Sequence, residues 1–448
     1  MNIVEKSLFG TSGIRGHAEE LFTNQFSFDL GRSFAIYLRS INQIGKVAVG
    51  NDPRESSPRI KSAFVSGLIY EGYEVFDQGV APIPAINYIL IADPGYSGSV
   101  MITGSHIKAE LNGVKFFTLR EEISKEQEAA IEKIYYQEKE KVTFVDKSEI
   151  AYISDEAQEA YKEYLIGKAN LPFPNWKVVV DPGNGAQADC MPWVLRQLGV
   201  NLIEQNCSVQ ENFYSRDTEV QGDFQELQDT VVKEGADFGL GYDSDGDRLL
   251  VVDENGKAIV GDYSGTIIAS KQEGEYIVTP VNASQVAELI GKKVERTKVG
   301  SPYVVAKMKE VGASFGFESN GGGIFKDMYS RDGGRSSVEF MNILAAEKCK
   351  VSELVNKYPK FYQARDKVEY KWELKDKIIS AAKEHFQGQK IEEYDGLKIW
   401  LNDKVWILFR SSSNAPEFRV FSEAETESEA KDLLDKGMSF VKEMVEKK

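Results

Sequence analysis

The sequence predicts a multidomain α/β protein that closes with a smaller α+β unit, and three observations predict it. At 448 residues the chain is too long for one hydrophobic core and should divide into two to four units. Short β-rich runs alternate with helical ones as far as Tyr358-Pro359, the pattern of parallel strands covered by helices. Beyond that point strands follow one another and helices flank them, as in an α+β unit.

Taken in order, residues 46–49 read as a strand, 58–71 as a helix, and 74–76 and 99–102 as strands. A charged helical stretch, 124–141, leads through a Lys/Asp/Ser-rich segment into a second unit near residue 150. That unit restarts with a strand at 177–180, a turn at Asp181-Pro182-Gly183-Asn184-Gly185 and a helix ending near Gly199. Its later strand, 237–241, runs straight into an acidic loop. From Asp262 the pattern repeats, with a strand at 276–279, a helix at 284–289 and a longer helix at 336–347, and the loop Ser319-Asn320-Gly321-Gly322-Gly323 lies between them. The last unit reads as a helix at 374–385, strands at 397–401, 404–410 and 417–423, and a helix at 427–447. The expected units are 1–149, 150–253, 254–364 and 365–448.

Composition narrows the partners. A formal charge of −16 disfavours nucleic acid and acidic membrane surfaces, so an anionic small substrate needs a locally positive cleft. Cys190, Cys207 and Cys349 stand far apart without metal-ligand spacing, which fits a reducing cytoplasm. No apolar run approaches the ~20 residues of a membrane span, and the N-terminus lacks a signal-peptide layout, so a cytoplasmic protein is expected.

The sharpest local signal is Gly241-Tyr242-Asp243-Ser244-Asp245-Gly246-Asp247-Arg248. Three carboxylates at alternate positions after an apolar strand are hard oxygen ligands able to converge on Mg²⁺ or Ca²⁺. A calcium-binding EF-hand loop is a competing reading, since Glu254 falls twelfth from Asp243. It fails at the sixth position, where Arg248 replaces the glycine the turn needs, so magnesium is preferred. Thr103-Gly104-Ser105-His106 follows the strand at 99–102, and a hydroxyl on a loop at a strand's C-terminal end is well placed as a nucleophile. Lys115, in Asn112-Gly113-Val114-Lys115, is a candidate general acid or base. The run from Arg410 to Arg419 offers three hydroxyls (Ser411, Ser412, Ser413), the Asn414 amide and two guanidiniums, donors that suit a phosphate dianion. Gly10-Thr11-Ser12-Gly13-Ile14-Arg15-Gly16 is a glycine-rich loop with one cation, compatible with phosphate contact.

In this order the motifs resemble the α-D-phosphohexomutase superfamily, which includes phosphoglucomutases, phosphomannomutases and phosphoglucosamine mutases. The Glu-x-Asn-Gly-Gly form of the loop at Glu318 is similar to archaeal-type members. The resemblance spans essentially the whole chain. It implies three similar α/β domains with mixed sheets and a C-terminal α+β domain, arranged around a central cleft to which each gives one loop. It also implies interconversion of hexose 1-phosphate and hexose 6-phosphate through a phosphorylated Ser105 and a bisphosphorylated sugar. One Mg²⁺ per chain would be held by Asp243, Asp245, Asp247 and Ser105, with hexose 1,6-bisphosphate as activator. Lys115 matches the general acid/base, His106 accompanies the nucleophile, and Arg15 and Arg248 match cations near the transferring phosphoryl group. Glu318 and Asn320 match binders of sugar hydroxyls, while Arg410, Ser412, Ser413, Asn414 and Arg419 fall in the clamp on the other phosphate. Monomers and homodimers both occur in such families, and a hinge is expected near residues 360–370.

The chain departs from the family pattern at three places. Ile107-Lys108 stands where Asn-Pro is usual, Asn414-Ala415 where Thr-Glu is usual, and Gly322 where many bacterial members carry histidine. Nucleophile, metal ligands and Lys115 are intact, which favours an active enzyme with altered substrate choice. The alternatives are a catalytically weak phosphosugar-binding paralogue acting as a regulator or partner subunit, and a magnesium-dependent phosphatase, which would release inorganic phosphate.

Overall fold

The computed structural model describes residues 7–170, 172–209, 212–412 and 416–446. It contains four sheets. The first runs in the order Ile14–His17, Leu111–Thr118, Tyr96–Ile102, Lys46–Asn51, Glu74–Val80, Tyr152–Ile153, with Glu121–Glu122 added to Leu111–Thr118. Its central pairs are parallel, whereas the Ile14–His17 side is antiparallel. The second sheet, ordered Ala258–Ile259, Leu249–Val252, Phe238–Tyr242, Lys177–Asp181, Asn201–Glu204, is likewise mixed. So is the third, Lys293–Thr297, Tyr276–Pro280, Phe315–Phe317, Gly323–Phe325. The fourth is antiparallel throughout, with Tyr362–Glu369 on one edge and Lys390–Glu392 on the other. Strand pairing crosses the positions marked as boundaries from sequence: 152–153 pair with the first sheet and 258–259 with the second.

Helices cover these sheets because their apolar faces need burial. Asn24–Ser40 and Ser57–Tyr70 cross at glycines, and a Cβ on Gly31 would lie 2.1 Å from the Phe64 carbonyl oxygen, so the close approach requires glycine there. One apolar cluster runs from Ala48, Ile86 and Met101 through Val180, Met191 and Leu240 to Phe317 and Phe340, joining the first three units into one body. The helix Ile83–Ala92 is the wedge between them. Its first N–H donates to the Asp245 carbonyl (2.9 Å), and its Asn87 side chain donates to the Met328 carbonyl (3.2 Å). The stretch 284–289, expected as a helix, is a short 3₁₀ turn, Gln285–Leu289, capped by the Ser284 hydroxyl. No helix among the described residues is long and apolar enough to cross a membrane.

The fourth sheet has two apolar faces with different tasks. One packs the helices Lys375–His385 and Glu427–Glu446, and the other sets Trp400, Trp406, Leu408 and Phe421 against Val281 and Val299 of the third unit. Lys398 is buried in this junction. Its Nζ lies 4.0 Å from the Trp406 ring centroid and 4.8 Å from that of Trp400, and donates to the Val281 carbonyl at 3.1 Å.

Burial, reinforced by Arg296, pushes the Lys398 ammonium down to about 7. Its ordinary value is 10.5, so between those limits the unfolded chain binds the extra proton and stability rises with pH. Below the lower limit both states are protonated and that stabilisation is absent. The expected outcome for Lys398→Met is a gain of about 1–3 kcal/mol at pH 7 and a shallower rise in stability towards pH 10, read from thermal melts across that range.

Candidate active site

Three loops and the strand pair Ile14–His17 and Leu111–Thr118 meet where the parallel strands of the first two sheets end, the position at which open α/β sheets bind ligands. Tyr96–Ile102 delivers Ser105, and Phe238–Tyr242 delivers Asp243, Asp245 and Asp247. Gly246, at φ +71°, makes the turn that lets the carboxylates on either side face one point. Arg15 lies opposite Gly113 in the antiparallel pair, so Arg15 and Lys115 leave the same face of the first sheet. The loop at Glu318–Gly323 closes tightly on the strand that follows the acidic loop, since the Leu249 N–H donates to the Gly321 carbonyl at 3.3 Å. A Cβ on Gly321 would lie 2.0 Å from the Leu249 carbonyl oxygen, so only glycine allows this approach.

Ser105 is fully buried and holds φ +53°, a left-handed conformation unusual for a residue with a side chain. A bracket built around Arg54 imposes it. The Arg54 guanidinium pairs with Asp52 (2.9 Å) and donates to the carbonyls of Ser105 (2.5 Å), Ile107 (2.7 Å), Lys108 (2.6 Å) and Leu111 (3.0 Å). Asp52 accepts from the Gly104 N–H (3.1 Å), and its carboxylate lies 2.8 Å from the Thr103 hydroxyl. The Ser244 hydroxyl also donates to the Ser105 carbonyl, tying the serine loop to the metal loop. The serine oxygen is thereby aimed at the acidic cluster: Ser105 Oγ donates to Asp243 Oδ2 at 3.0 Å and lies 3.2 Å from His106 Nδ1.

All three aspartates are buried, with one oxygen from each lying within 4.8 Å of the others. Asp245 Oδ1 and Asp247 Oδ1 have no hydrogen-bond partner among the described residues. Buried, unsatisfied carboxylate oxygens converging on one point are the donor set a hard divalent cation requires, so the residues present fit such a metal. Cations ring the cluster. Lys115 Nζ lies 3.3 Å from Asp247 and 3.5 Å from Asp245, Arg331 pairs with Asp247 at 2.8 Å and Glu318 at 3.0 Å, and Arg248 lies 3.6 Å from Asp243.

Burial, and then repulsion from Asp245 and Asp247, raises the Asp243 carboxyl well above its ordinary range. Burial also opposes charge on Asp247, but Arg331, Lys115 and Arg248 together hold its carboxyl below that range. Burial and then the cations Arg248, Arg15, Arg331 and Lys115 push His106 well below its usual value, so its imidazole is neutral at physiological pH. Burial lowers Arg15 as well, with Asp245 acting in the opposite sense.

Ser105, His106, Lys115, Arg248 and the three aspartates therefore form one constellation, with Arg15 in electrostatic reach. Glu318 joins it through Arg331. Asn320 accepts from the Gly322 N–H (3.0 Å) and shapes the loop at Glu318–Gly323. The residues expected to clamp phosphate lie apart in the fourth unit: Arg410 pairs with Asp395 (2.6 Å), Ser412 is buried with its N–H on the Glu417 carbonyl (2.8 Å), and Arg419 pairs with Glu417 (2.9 Å). Ser413 and Asn414 lie outside the described residues.

Sequence reasoning missed Arg54, Arg331 and Asp217, whose Oδ1 lies 3.1 Å from Arg248. Arg54 follows the end of Lys46–Asn51, the parallel neighbour of the strand carrying Ser105, so strand adjacency could have found it. Nothing local marks Arg331 or Asp217.

Known proteins give a consistent answer. Models of phosphoglucomutase/phosphomannomutase α/β/α domains I, II and III match residues 6–142, 158–256 and 258–362. The chain is 34% identical to a phosphoglucomutase/phosphomannomutase of Thermococcus kodakarensis, over 97% of this chain and 98% of that one. It is 33% identical to a phosphoglucosamine mutase of Caldicellulosiruptor saccharolyticus, over 97% and 98%. The crystal structure of a phosphoglucomutase/phosphomannomutase family protein from Burkholderia thailandensis superposes with a TM-score of 0.84 at 25% identity, covering 99% of both chains. Over nearly its full length, then, and with its Ser105 loop and acidic loop brought together, this chain belongs to the phosphoglucomutase/phosphomannomutase family of the α-D-phosphohexomutase superfamily, enzymes that are intramolecular phosphotransferases.

Proposed function

We propose that the chain interconverts hexose 1-phosphate and hexose 6-phosphate, with glucose, mannose or glucosamine as the sugar, using Ser105 as the phosphoryl carrier. The observation that carries this reading is the buried Ser105 Oγ donating to Asp243 of the three-carboxylate cluster inside a ring of cations. Phosphoryl transfer needs positioning and charge neutralisation more than covalent assistance, and this arrangement supplies both.

In the working form Ser105 carries the phosphoryl group. A free sugar hydroxyl attacks phosphorus, the bond from phosphorus to Ser105 Oγ breaks, and the hydroxyl proton passes to the serine oxygen, with Lys115 relaying it. Arg15 and Arg248 offset the charge spread over the equatorial oxygens. His106, neutral, lies 3.2 Å from the freed serine oxygen, whose own proton is directed at Asp243. Glu318 and Asn320 bind sugar hydroxyls, and Arg331 holds Glu318 in register with Asp247. The bisphosphorylated sugar then turns over in the cleft and returns its other phosphoryl group to Ser105 while Arg410, Ser412, Ser413, Asn414 and Arg419 take the non-reacting phosphate. Hexose 1,6-bisphosphate charges the serine at the start. Asp243, Asp245, Asp247 and Ser105 would hold one Mg²⁺, which when bound supplies Lewis-acid stabilisation of the transferring group.

Five carboxylates (Asp217, Asp243, Asp245, Asp247, Glu318) face four cations (Arg15, Lys115, Arg248, Arg331), and a divalent ion together with a phosphoserine of nearly two negative charges adds little net charge to them. Ile107-Lys108 does not weaken the enzyme reading, because Arg54 and Ser215 grip this loop through backbone carbonyls that any residue supplies.

Ser105→Ala is expected to abolish isomerisation of glucose, mannose and glucosamine 1-phosphates and the mass of one phosphoryl group seen on the intact wild-type chain. Full activity in that variant, or steady release of inorganic phosphate by wild type, would sink the mutase reading. A chelator should stop turnover and added Mg²⁺ restore it. Arg54→Met leaves Asp52 buried without its partner, an expected cost of about 3–5 kcal/mol in denaturant titration.

A further inference from the structure

The segment Ser215–Glu219 touches all four units within five residues. The Ser215 hydroxyl donates to the Ile107 carbonyl of the nucleophile loop at 2.6 Å. Arg216 anchors the segment in the second sheet, pairing with Asp181 at 2.9 Å and donating to the Tyr242 carbonyl at 3.3 Å, both at the ends of adjacent parallel strands. Asp217 holds Arg248 of the metal loop, the Thr218 hydroxyl donates to the Asn320 carbonyl of the sugar loop at 2.6 Å, and Glu219 pairs with Arg365 of the fourth sheet.

These contacts are connected. Arg365 grips Glu219 twice, through its carboxylate and, at 3.0 Å, its carbonyl. The Glu219 N–H donates to Asp217 Oδ1 at 3.1 Å, the same oxygen that accepts from Arg248. The Arg248 N–H donates to Asp243 at 3.2 Å, and Asp243 accepts from the Ser105 hydroxyl. A line of polar contacts thus runs from the edge strand of the C-terminal unit to the nucleophile. Its outer links are partly exposed, with the Arg365, Glu219 and Asp217 side chains 40%, 24% and 25% accessible, whereas Arg248, Asp243 and Ser105 at its inner end are buried. An exposed ion pair adds little to stability and exchanges readily with water, as a contact that must break and reform during turnover should.

We propose that residues 215–219 are a strap through which the position of the C-terminal unit sets the pose of Arg248, making Asp217 and Glu219 positioning residues for phosphoryl transfer. The inference rests on the mutase reading above. When Arg365 releases Glu219, the Asp217 carboxylate loses its brace and Arg248 its fixed direction. The cations are therefore fully arranged only when the fourth unit is docked.

A double-mutant cycle on the full chain tests this, with hexose 1-phosphate as substrate, bisphosphate activator and saturating Mg²⁺. Glu219→Gln and Arg365→Met should each lower kcat about tenfold, leave KM and Tm unchanged, and in combination lower it no further. On an Asp217→Asn background, Arg365→Met should have no additional effect. Wild-type kcat in Glu219→Gln, or two independent losses that multiply, would overturn the strap while wild type still turns over. Failure of wild type itself to phosphorylate Ser105 and turn over would sink the mutase reading, and the strap with it.

Discussion

Mutual repulsion among Asp243, Asp245 and Asp247, withdrawn from water in one short loop, is the constraint around which the rest of the structure is arranged. Bare, such a cluster opposes folding, because each carboxylate is desolvated and each raises the cost of charging the next. The chain meets that cost unevenly. Asp247 is held ionised by Arg331, Lys115 and Arg248, whereas Asp243 is left with a raised affinity for a proton and a hydrogen bond from Ser105. Stabilising charge where it must persist, and leaving two oxygens without partners, is how a site is kept open for a cation.

No single unit supplies the neutralising groups, and this links chemistry to architecture. Lys115 and Arg15 come from the first sheet, Arg248 from the metal loop, and Arg331 from the turn preceding the helix Gly333–Glu347 of the third unit. A continuous apolar cluster accordingly joins these units, with a wedge helix whose first N–H donates to the Asp245 carbonyl. The fourth unit is attached differently, through a Trp-lined face enclosing a lysine that resists carrying charge, and through a partly exposed ion pair. The charges thus converge where three units share one apolar core, whereas the fourth unit meets them through a separate apolar face and a partly exposed ion pair.

Much of this was legible in the sequence. The strands entering the acidic loop and the Ser105 loop stood out because apolar runs end abruptly in chemistry-bearing turns. The helix Ile83–Ala92 was not legible as an element, because it is buried on nearly every side and carries no amphipathic period. The strand Leu111–Thr118 was hidden in the same way, since its residues are buried on both faces and do not alternate. Glu318 and Asn320 were visible as a motif, but their dependence on Arg331 was not, because that contact is between elements and leaves no local spacing. Arg54 lies fifty-one positions before Ser105, whose carbonyl it holds, and only strand adjacency joins them.

The central claim, that the three carboxylates and the serine form one cation site, is tested most directly by anomalous scattering from crystals soaked in Mn²⁺. The account predicts a single strong peak within coordination distance of one oxygen from each of Asp243, Asp245 and Asp247 and of the oxygen on the Ser105 side chain. A cluster that remains empty at saturating Mn²⁺, or a peak bound by other residues, would contradict it.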